Sequence, residues 1–229
     1  MLFEAKFVTI DSCVGESQKI RTLIFKNPSV GDAIPAVLIH GFASGVGLWS
    51  RNFHHLVATR PVYAIDLLGF GRSSRPIFSS DADEAELQLV QSIEAWRKKM
   101  GLEKFIIIGH SMGGFLSASY AISYPHRIAH AILSDPWGFP ERPNPFWINN
   151  LTYLFENFNP LFIVRAAGPF GLRLVWEAKK QLVHELAGTV SGAKFKLANY
   201  MYHVNVQNPT GESAFRTMSS GYFWAKHPM

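Results

Sequence analysis

The chain has 229 residues, of which 48% are hydrophobic and only 17% charged, a balance that fits one globular domain and excludes a disordered or fibrous chain. The net charge of +5 is too weak over this length to argue for nucleic acid as a partner, and no nucleic-acid-binding motif is present. Cys13 is the only cysteine, which excludes an intrachain disulfide and a cysteine-based metal site and fits a reducing compartment.

The N-terminal MLFEAKFVTIDS carries Glu4 and Lys6 where a secretory signal needs an unbroken apolar stretch, so an intracellular chain is expected. AKFVTID and KIRTLIF alternate apolar and polar residues around the turn-like SCVGESQ, the pattern of an antiparallel hairpin at a sheet edge. Four short apolar runs follow, AVLIH (36–40), VYAID (62–66), FIIIG (105–109) and AILSD (131–135), with helix-length connections between them. Parallel neighbours need such crossovers, so the pattern predicts an α/β protein with a mostly parallel sheet.

The clearest helix starts after Ser80, with Asp81, Asp83 and Glu84 in its first turn, where negative charge suits the positive end of the helix dipole. Ala85, Leu89, Ile93, Trp96 and Met100 fall on one face, and Gly101 follows as the C-terminal cap. Residues 105–125 form a 21-residue run without formal charge. It is not read as a membrane span, because Gly109, His110, Ser111, Gly113, Gly114, Ser117, Ser119 and Ser123 interrupt it. It reads instead as a buried strand and then a helix that Pro125 ends.

From Trp137 onward the pattern breaks into PWGFPERPNPFW, NFNP and GPFG, with short helical stretches between the prolines. This predicts a core over residues 1–136 and a cap over residues 137–229 within the same domain. The cap carries +4 of the net charge and 17 of the 31 aromatic residues, a composition suited to lipid headgroups. Its Trp137, Phe139, Phe146, Trp147, Phe155, Phe158 and Phe162 are read as the surface that meets a membrane or a droplet.

Gly109-His110-Ser111-Met112-Gly113 is GxSxG, placed after a buried strand and before a helix, the context of a nucleophile elbow. Ser111 is the predicted nucleophile. Gly109 and Gly113 are needed because side chains there would collide with the neighbouring strand and helix. The Met112 N–H, at the start of the following helix, is the first expected oxyanion donor. The second is the Phe42 N–H, in the loop His40-Gly41-Phe42-Ala43 that follows AVLI. His40 is read as shaping that loop rather than as a base.

HGF, DLLGFGRSSRP (66–76) and GHSMGG stand in the order and spacing of the α/β-hydrolase superfamily. The longer strings HGFASGVGLW, PVYAIDLLGFGRSSRP, GHSMGGF, DPWGFPERP, AGPFG and YHVNVQNPTGESAF resemble the subfamily of abhydrolase domain-containing proteins four and five. The resemblance implies an α/β-hydrolase fold with a helical cap, no cofactor and a phospholipid or acylglycerol substrate. It also implies a cytosolic enzyme in peripheral contact with lipid droplets, membranes or mitochondria. One branch hydrolyses lysophospholipids and N-acyl phospholipids. The other co-activates a triglyceride lipase at lipid droplets and has been credited with lysophosphatidate acyl transfer. Vertebrate members of the co-activator branch typically carry Asn at position 111, so Ser111 favours the hydrolytic branch.

In this superfamily the triad order is Ser, then Asp or Glu, then His. The resemblance places acid and His after the cap, and this chain stops at GYFWAKHPM, which aligns with the end of the cap. The expectation is therefore a chain lacking the last two strands, the acid and the His, with Ala131, Ile132 and Leu133 on an exposed apolar edge and little activity of its own. Asp135, after the fourth parallel strand, is the internal candidate for the acid. His184, His203 and His227 are the candidate bases, each read as structural or exposed. His130 and Asp135 spell the HxxxxD of glycerolipid acyltransferases, a coincidence for residues five apart on a strand. Three functions follow in order of preference: a serine lipid hydrolase, a non-catalytic lipid-droplet co-activator, and a lysophosphatidate acyltransferase.

Overall fold

The computed structural model describes residues 2–11, 14–142, 160–178, 180–181, 183, 193–221 and 224–229. Its first two strands are the expected hairpin, longer by a few residues than the alternating runs: β1 (Leu2–Ile10) pairs antiparallel with β2 (Gln18–Lys26), from Leu2 opposite Lys26 to Ile10 opposite Gln18. The four apolar runs become β3 (Ala36–Ile39), β4 (Val62–Ile65), β5 (Phe105–His110) and β6 (Ile128–Ser134). The sheet order is β1-β2-β4-β3-β5-β6, with β4, β3, β5 and β6 mutually parallel.

Every residue of β3 and β4 is buried, which is why these runs are continuously apolar rather than alternating. β3 and β5 lie side by side with Ile39 opposite Gly109. The HGFA loop and the GHSMG turn, whose first glycines are 68 residues apart, therefore leave the sheet together at its carboxyl end, the crevice where open α/β sheets hold their ligands. β6 is an edge strand among the described residues; of the three apolar residues expected on that edge, Ile132 is 44% exposed, whereas Ala131 packs against the core and Leu133 is half-buried.

Three helices cover the sheet: α1 (Phe53–Val57), α2 (Ala82–Met100) and α3 (Met112–Ser123). Asp81 is the N-cap of α2 rather than a member of its first turn, because its carboxylate accepts the Glu84 N–H at 3.0 Å. Gly101 closes α2 in the left-handed conformation. Ala85, Leu89, Ile93 and Trp96 are fully buried, and the Trp96 indole donates to Thr22 Oγ1 at 2.9 Å.

The segment after residue 159 contributes α4 (Pro160–Ala166), α5 (Gly171–Ala178), α6 (Ala193–Asn205) and α7 (Thr210–Met218), then the small ribbon β7 (Ser219–Ser220) with β8 (Trp224–Ala225). Helices α4, α5 and α6 pack on one another. Helix α7 packs on α2, and its Ala214, Phe215 and Met218, with Ala225 of β8, join the apolar cluster that holds Trp96 and Phe115.

Between α2 and α3 lies a buried charge cluster. Arg97 grips Glu94 with two bonds of 2.7 and 2.8 Å and donates to the Leu102 carbonyl, and the Tyr120 hydroxyl donates to Glu94 at 2.6 Å. Burial pushes the Glu94 carboxyl up, but the bonds from Arg97 and Tyr120 outweigh it and hold the group below its ordinary 4.5. A carboxylate depressed in the native state adds stability that is fully present above the unfolded value and is lost as pH falls through the native one. Arg97→Met should cost about 3–5 kcal/mol at neutral pH by leaving Glu94 buried with its main partner gone. The cost should shrink toward pH 5, because the Glu94 carboxyl, left with Tyr120 and Lys98 as partners, takes up a proton more readily than in the native protein. Urea unfolding at the two pH values measures the difference, and an equal loss at both would contradict the assignment.

Candidate active site

Ser111 stands between β5 and α3 with φ 54° and ψ −123°, a conformation that residues bearing a Cβ rarely adopt. Its N–H donates to the Ser134 carbonyl at 3.1 Å. Its own carbonyl accepts from Gly114, Phe115 and Trp137 at 2.8, 3.1 and 3.1 Å. The turn is thus pinned from α3 on one side and from the end of β6 and the segment after it on the other.

The glycines explain how tightly these elements meet. A Cβ on Gly109 would overlap the Gly113 carbonyl and the Ser117 hydroxyl, and one on Gly113 would come within 2.5 Å of the Ile39 carbonyl oxygen. A Cβ on Gly41 would stand 3.0 Å from Ser111 Cβ, so the start of the HGFA loop lies directly against the serine. Met112, fully buried, is the first residue of α3, and the first N–H groups of a helix have no intrahelical acceptor. Phe42 packs its ring on Phe215, with centroids 4.5 Å apart. Ala43, Ser111 and Asp135 are the non-glycine residues with positive φ among those described. All three sit around this one turn, in keeping with the tendency of strained backbone to gather at functional sites.

His40 is fully buried. Its Nδ1 lies 2.8 Å from the Gly41 carbonyl oxygen and its Nε2 accepts the Leu67 N–H at 3.0 Å. A carbonyl only accepts and an amide only donates, so the ring is neutral with its proton on Nδ1. Burial holds its pKa below the ordinary value, against the opposing pull of Asp66. Both ring nitrogens are occupied by the backbone, which makes His40 the shaper of the loop. Asp66 is buried beside it and accepts from Val46 N at 2.7 Å and Arg72 N at 2.9 Å.

The other titratable candidates are dispersed. Asp135 is exposed on the turn between Ser134 and Trp137, the two residues whose backbones bond Ser111. His203 and His130 are exposed, and His227 pairs with Asp83 at the surface near the start of α2. His184 lies outside the described residues. Among the described residues, no histidine or carboxylate is hydrogen-bonded to Ser111 Oγ, and no group of three or more His, Cys, Asp or Glu is placed to hold a metal ion.

A cavity of about 240 Å³ opens beside the elbow, walled mostly by apolar groups from Phe42, Leu48, Leu197, Met201 and Val204 and by His110. The α6 side of this cavity and Tyr200 carry no mark in composition or local pattern, and Asp66 and Asn205, which also hold its loop, stand in the strings DLLGFGRSSRP and YHVNVQNPTGESAF without a role. The partners of Asp66, Tyr200 and Asn205 are 20, 153 and 162 residues away in sequence, and no short-range pattern encodes such distances.

Gly113→Ala should destabilise the fold by about 3 kcal/mol, because its Cβ meets fixed backbone. Gly101→Ala, a left-handed position with nothing within 4 Å, should cost only about 1–2 kcal/mol from backbone strain. Chemical denaturation of both variants checks this order, and a reversal would remove the close approach as the reason for the glycine.

A family profile described as the alpha/beta hydrolase fold matches residues 35–190. Human 1-acylglycerol-3-phosphate O-acyltransferase ABHD5 is 48% identical over 224 residues, covering 94% of this chain and 63% of its own length. Human (lyso)-N-acylphosphatidylethanolamine lipase is 42% identical over 235 residues, covering 99% of this chain and 67% of its own length. The chain thus spans a little under two thirds of the ABHD5 relatives it matches. Among solved structures, Cfl2 from Burkholderia cenocepacia superposes with a TM-score of 0.68 at 19% identity, covering 96% of this chain and 72% of that one. A bacterial membrane phospholipase A superposes at 0.66 and 21%, covering 94% and 62%. Together with the strand order and the serine turn, these likenesses establish that the chain belongs to the alpha/beta hydrolase fold family, in the group that includes ABHD5 and the (lyso)-N-acylphosphatidylethanolamine lipase.

Proposed function

We propose that the whole protein is a serine carboxylic-ester hydrolase that acts on lysophospholipids or N-acyl phospholipids through an acyl-enzyme on Ser111. The observation that carries this reading is the strained turn that holds Ser111 at the start of α3, against the HGFA loop and beside an apolar cavity. In the reaction, Ser111 Oγ bonds to the acyl carbonyl carbon while its proton passes to a general base and the carbonyl π pair moves onto oxygen. The Met112 and Phe42 N–H groups are the proposed donors to that oxyanion. Collapse of the intermediate breaks the ester C–O bond and expels the alcohol, which takes up the proton. Water then repeats the sequence, releasing the fatty acid and restoring the serine.

We place the general base, a His, after the cap, as the resemblance implies, with His184 read as structural or exposed. Asp135, on the turn that embraces the Ser111 backbone, is the proposed orienting acid. A base contributes about 10² to 10⁴ in rate, so any form of the chain without one should be a poor hydrolase. A second reading draws on the 48% identity to proteins named 1-acylglycerol-3-phosphate O-acyltransferase. There the free hydroxyl of lysophosphatidate attacks the acyl-enzyme in place of water, gives its proton to the base and leaves as phosphatidate.

Ser111→Ala in the whole protein should abolish release of fatty acid from a lysophospholipid and acylation of lysophosphatidate alike, because both pass through the same serine. Chromatographic analysis of the products, with both acceptors present, tells hydrolysis from transfer. A variant that keeps more than a few per cent of either activity removes Ser111 as the nucleophile.

We also propose that the cap meets a lipid surface. Phe162, Phe170 and Phe195 on α4–α6 are 63%, 74% and 63% exposed, with Arg173, Lys180 and Lys196 exposed on the same segment. Trp137 does not belong to this surface: its ring packs on Phe115 and Phe215, with centroids at 5.2 and 4.7 Å. Phe146, Trp147, Phe155 and Phe158 lie outside the described residues. Among the described residues no helix is long and apolar enough to cross a membrane. Replacing Phe162, Phe170 and Phe195 together by Ser should weaken cosedimentation with anionic vesicles by about fivefold or more, and added salt should weaken it further. Undiminished binding by the triple variant would reject these residues as the contact.

A further inference from the structure

The loop from Gly41 to Trp49 carries Phe42, and its shape is set by groups outside it. His40 and Asp66 hold it from the core, at Gly41 and at Val46. Two more bonds come from the cap. Asn205 Nδ2 donates to the Ala43 carbonyl at 2.9 Å, and the Gly47 N–H donates to the Tyr200 hydroxyl at 2.9 Å. Ala43 has φ 55°, a left-handed backbone that a residue with a Cβ keeps only where its surroundings over-determine it. Tyr200 stands so close that a Cβ on Gly47 would lie 2.5 Å from its ring.

Both side chains sit on α6, and the carboxyl end of α6 is itself anchored. Arg75 donates to the Asn208 carbonyl at 2.7 Å while gripping the carbonyls of Gly69 and Gly71 in the core at 2.7 and 2.8 Å. Arg165 donates to the Asn205 carbonyl at 3.2 Å and forms a two-bond pair with Glu212. The last carbonyls of a helix have no intrahelical donor, and cations there complement the helix dipole. Asn205 is therefore held in place twice, through its own carbonyl and through a second amide bond to Met201 at 2.8 Å.

We propose that Tyr200 and Asn205 are positioning residues that fix the backbone of residues 42–47, so that the seating of the cap on the core sets the geometry of the oxyanion hole. This rests on the reading of Ser111 and Phe42 given above. Neither side chain touches the reacting atoms; each acts through one backbone group of the loop. Any displacement of α6 would release Ala43 and Gly47 together, which ties the position of the cap to the competence of the site.

The test uses the whole protein with Asn205→Ala and Tyr200→Phe, and Gln207→Ala as a control at an exposed position just past the end of the same helix. Hydrogen–deuterium exchange over residues 41–49 should rise about tenfold in Asn205→Ala, less in Tyr200→Phe and not in the control, with β5 unchanged. This readout needs no activity, and unchanged exchange in both variants overturns the proposal. With 4-nitrophenyl butyrate as probe, kcat should fall about tenfold in Asn205→Ala with KM within about twofold. A loss carried by KM alone also overturns it. If Asn205→Ala does not fold, Tyr200→Phe, which removes one hydroxyl, carries both measurements. Ser111→Ala run alongside separates the two ideas. Activity in that variant rejects the nucleophile, whereas an inactive Ser111→Ala with unaltered kcat in the α6 variants rejects only the positioning role.

Discussion

The approach of α3 to the ends of β3 and β5 is the contact from which the rest of the site follows. Because Gly109 and Gly113 carry no Cβ, the helix begins against the strand ends rather than a side chain's width away. The chain must then turn from strand to helix in a single residue, and that residue, Ser111, takes a conformation that costs about 1–3 kcal/mol. Four backbone hydrogen bonds to Ser111 offset the strain. Two of them come from Ser134, the last residue of β6, and from Trp137 just after it, so the edge strand contributes to the geometry of the serine as well as to the sheet. The same contact brings the start of α3, where Met112 lies, against the HGFA loop.

A second set of polar groups lies behind that loop. His40 and Asp66 are both buried, a placement that is costly unless every polar atom finds a partner. Both meet the condition by bonding backbone, at Gly41 and Leu67 for the ring and at Val46 and Arg72 for the carboxylate. The loop is therefore braced from the core by two buried groups. Glu94 meets the same condition through side chains, Arg97 and Tyr120, and it ties α2 to α3 far from the chemistry. Buried polar groups in this molecule thus serve placement, of a loop in one case and of two helices in the other.

What the sequence made legible was local. Buried strands announced themselves as continuous apolar runs, α2 by its period and its Gly101 cap, and the elbow by five residues between a strand and a helix. Even there the N-cap shifted to Asp81, because the choice between neighbouring polar residues is made by one hydrogen bond. Burial in the cap could not be read the same way. Trp137 and Phe162 look alike in a list of aromatic residues, yet one packs between Phe115 and Phe215 and the other is 63% exposed. Nor did any period mark Tyr200 and Asn205, whose partners on the HGFA loop are 153 and 162 residues away. Long-range polar contacts between irregular loop backbone and single side chains leave no repeat in the sequence.

Identity of 48% to ABHD5 and 42% to the lipase weighs all positions alike, whereas the difference between hydrolysis and acyl transfer lies in which hydroxyl reaches the acyl-enzyme. In the proposed reading both reactions of this chain run through Ser111, so the elbow is common ground. The discriminating element is whatever admits water or keeps it out while a lysophospholipid hydroxyl enters. We propose that this element is the cap, since Leu197, Met201 and Val204 of α6 wall the cavity together with Phe42 and Leu48. The helix that walls the cavity is also the helix that holds Ala43 and Gly47. On the proposed reading, a cap seated to exclude water is the same cap that sets the oxyanion loop, so exclusion of the competing nucleophile and assembly of the site would be one conformational event rather than two.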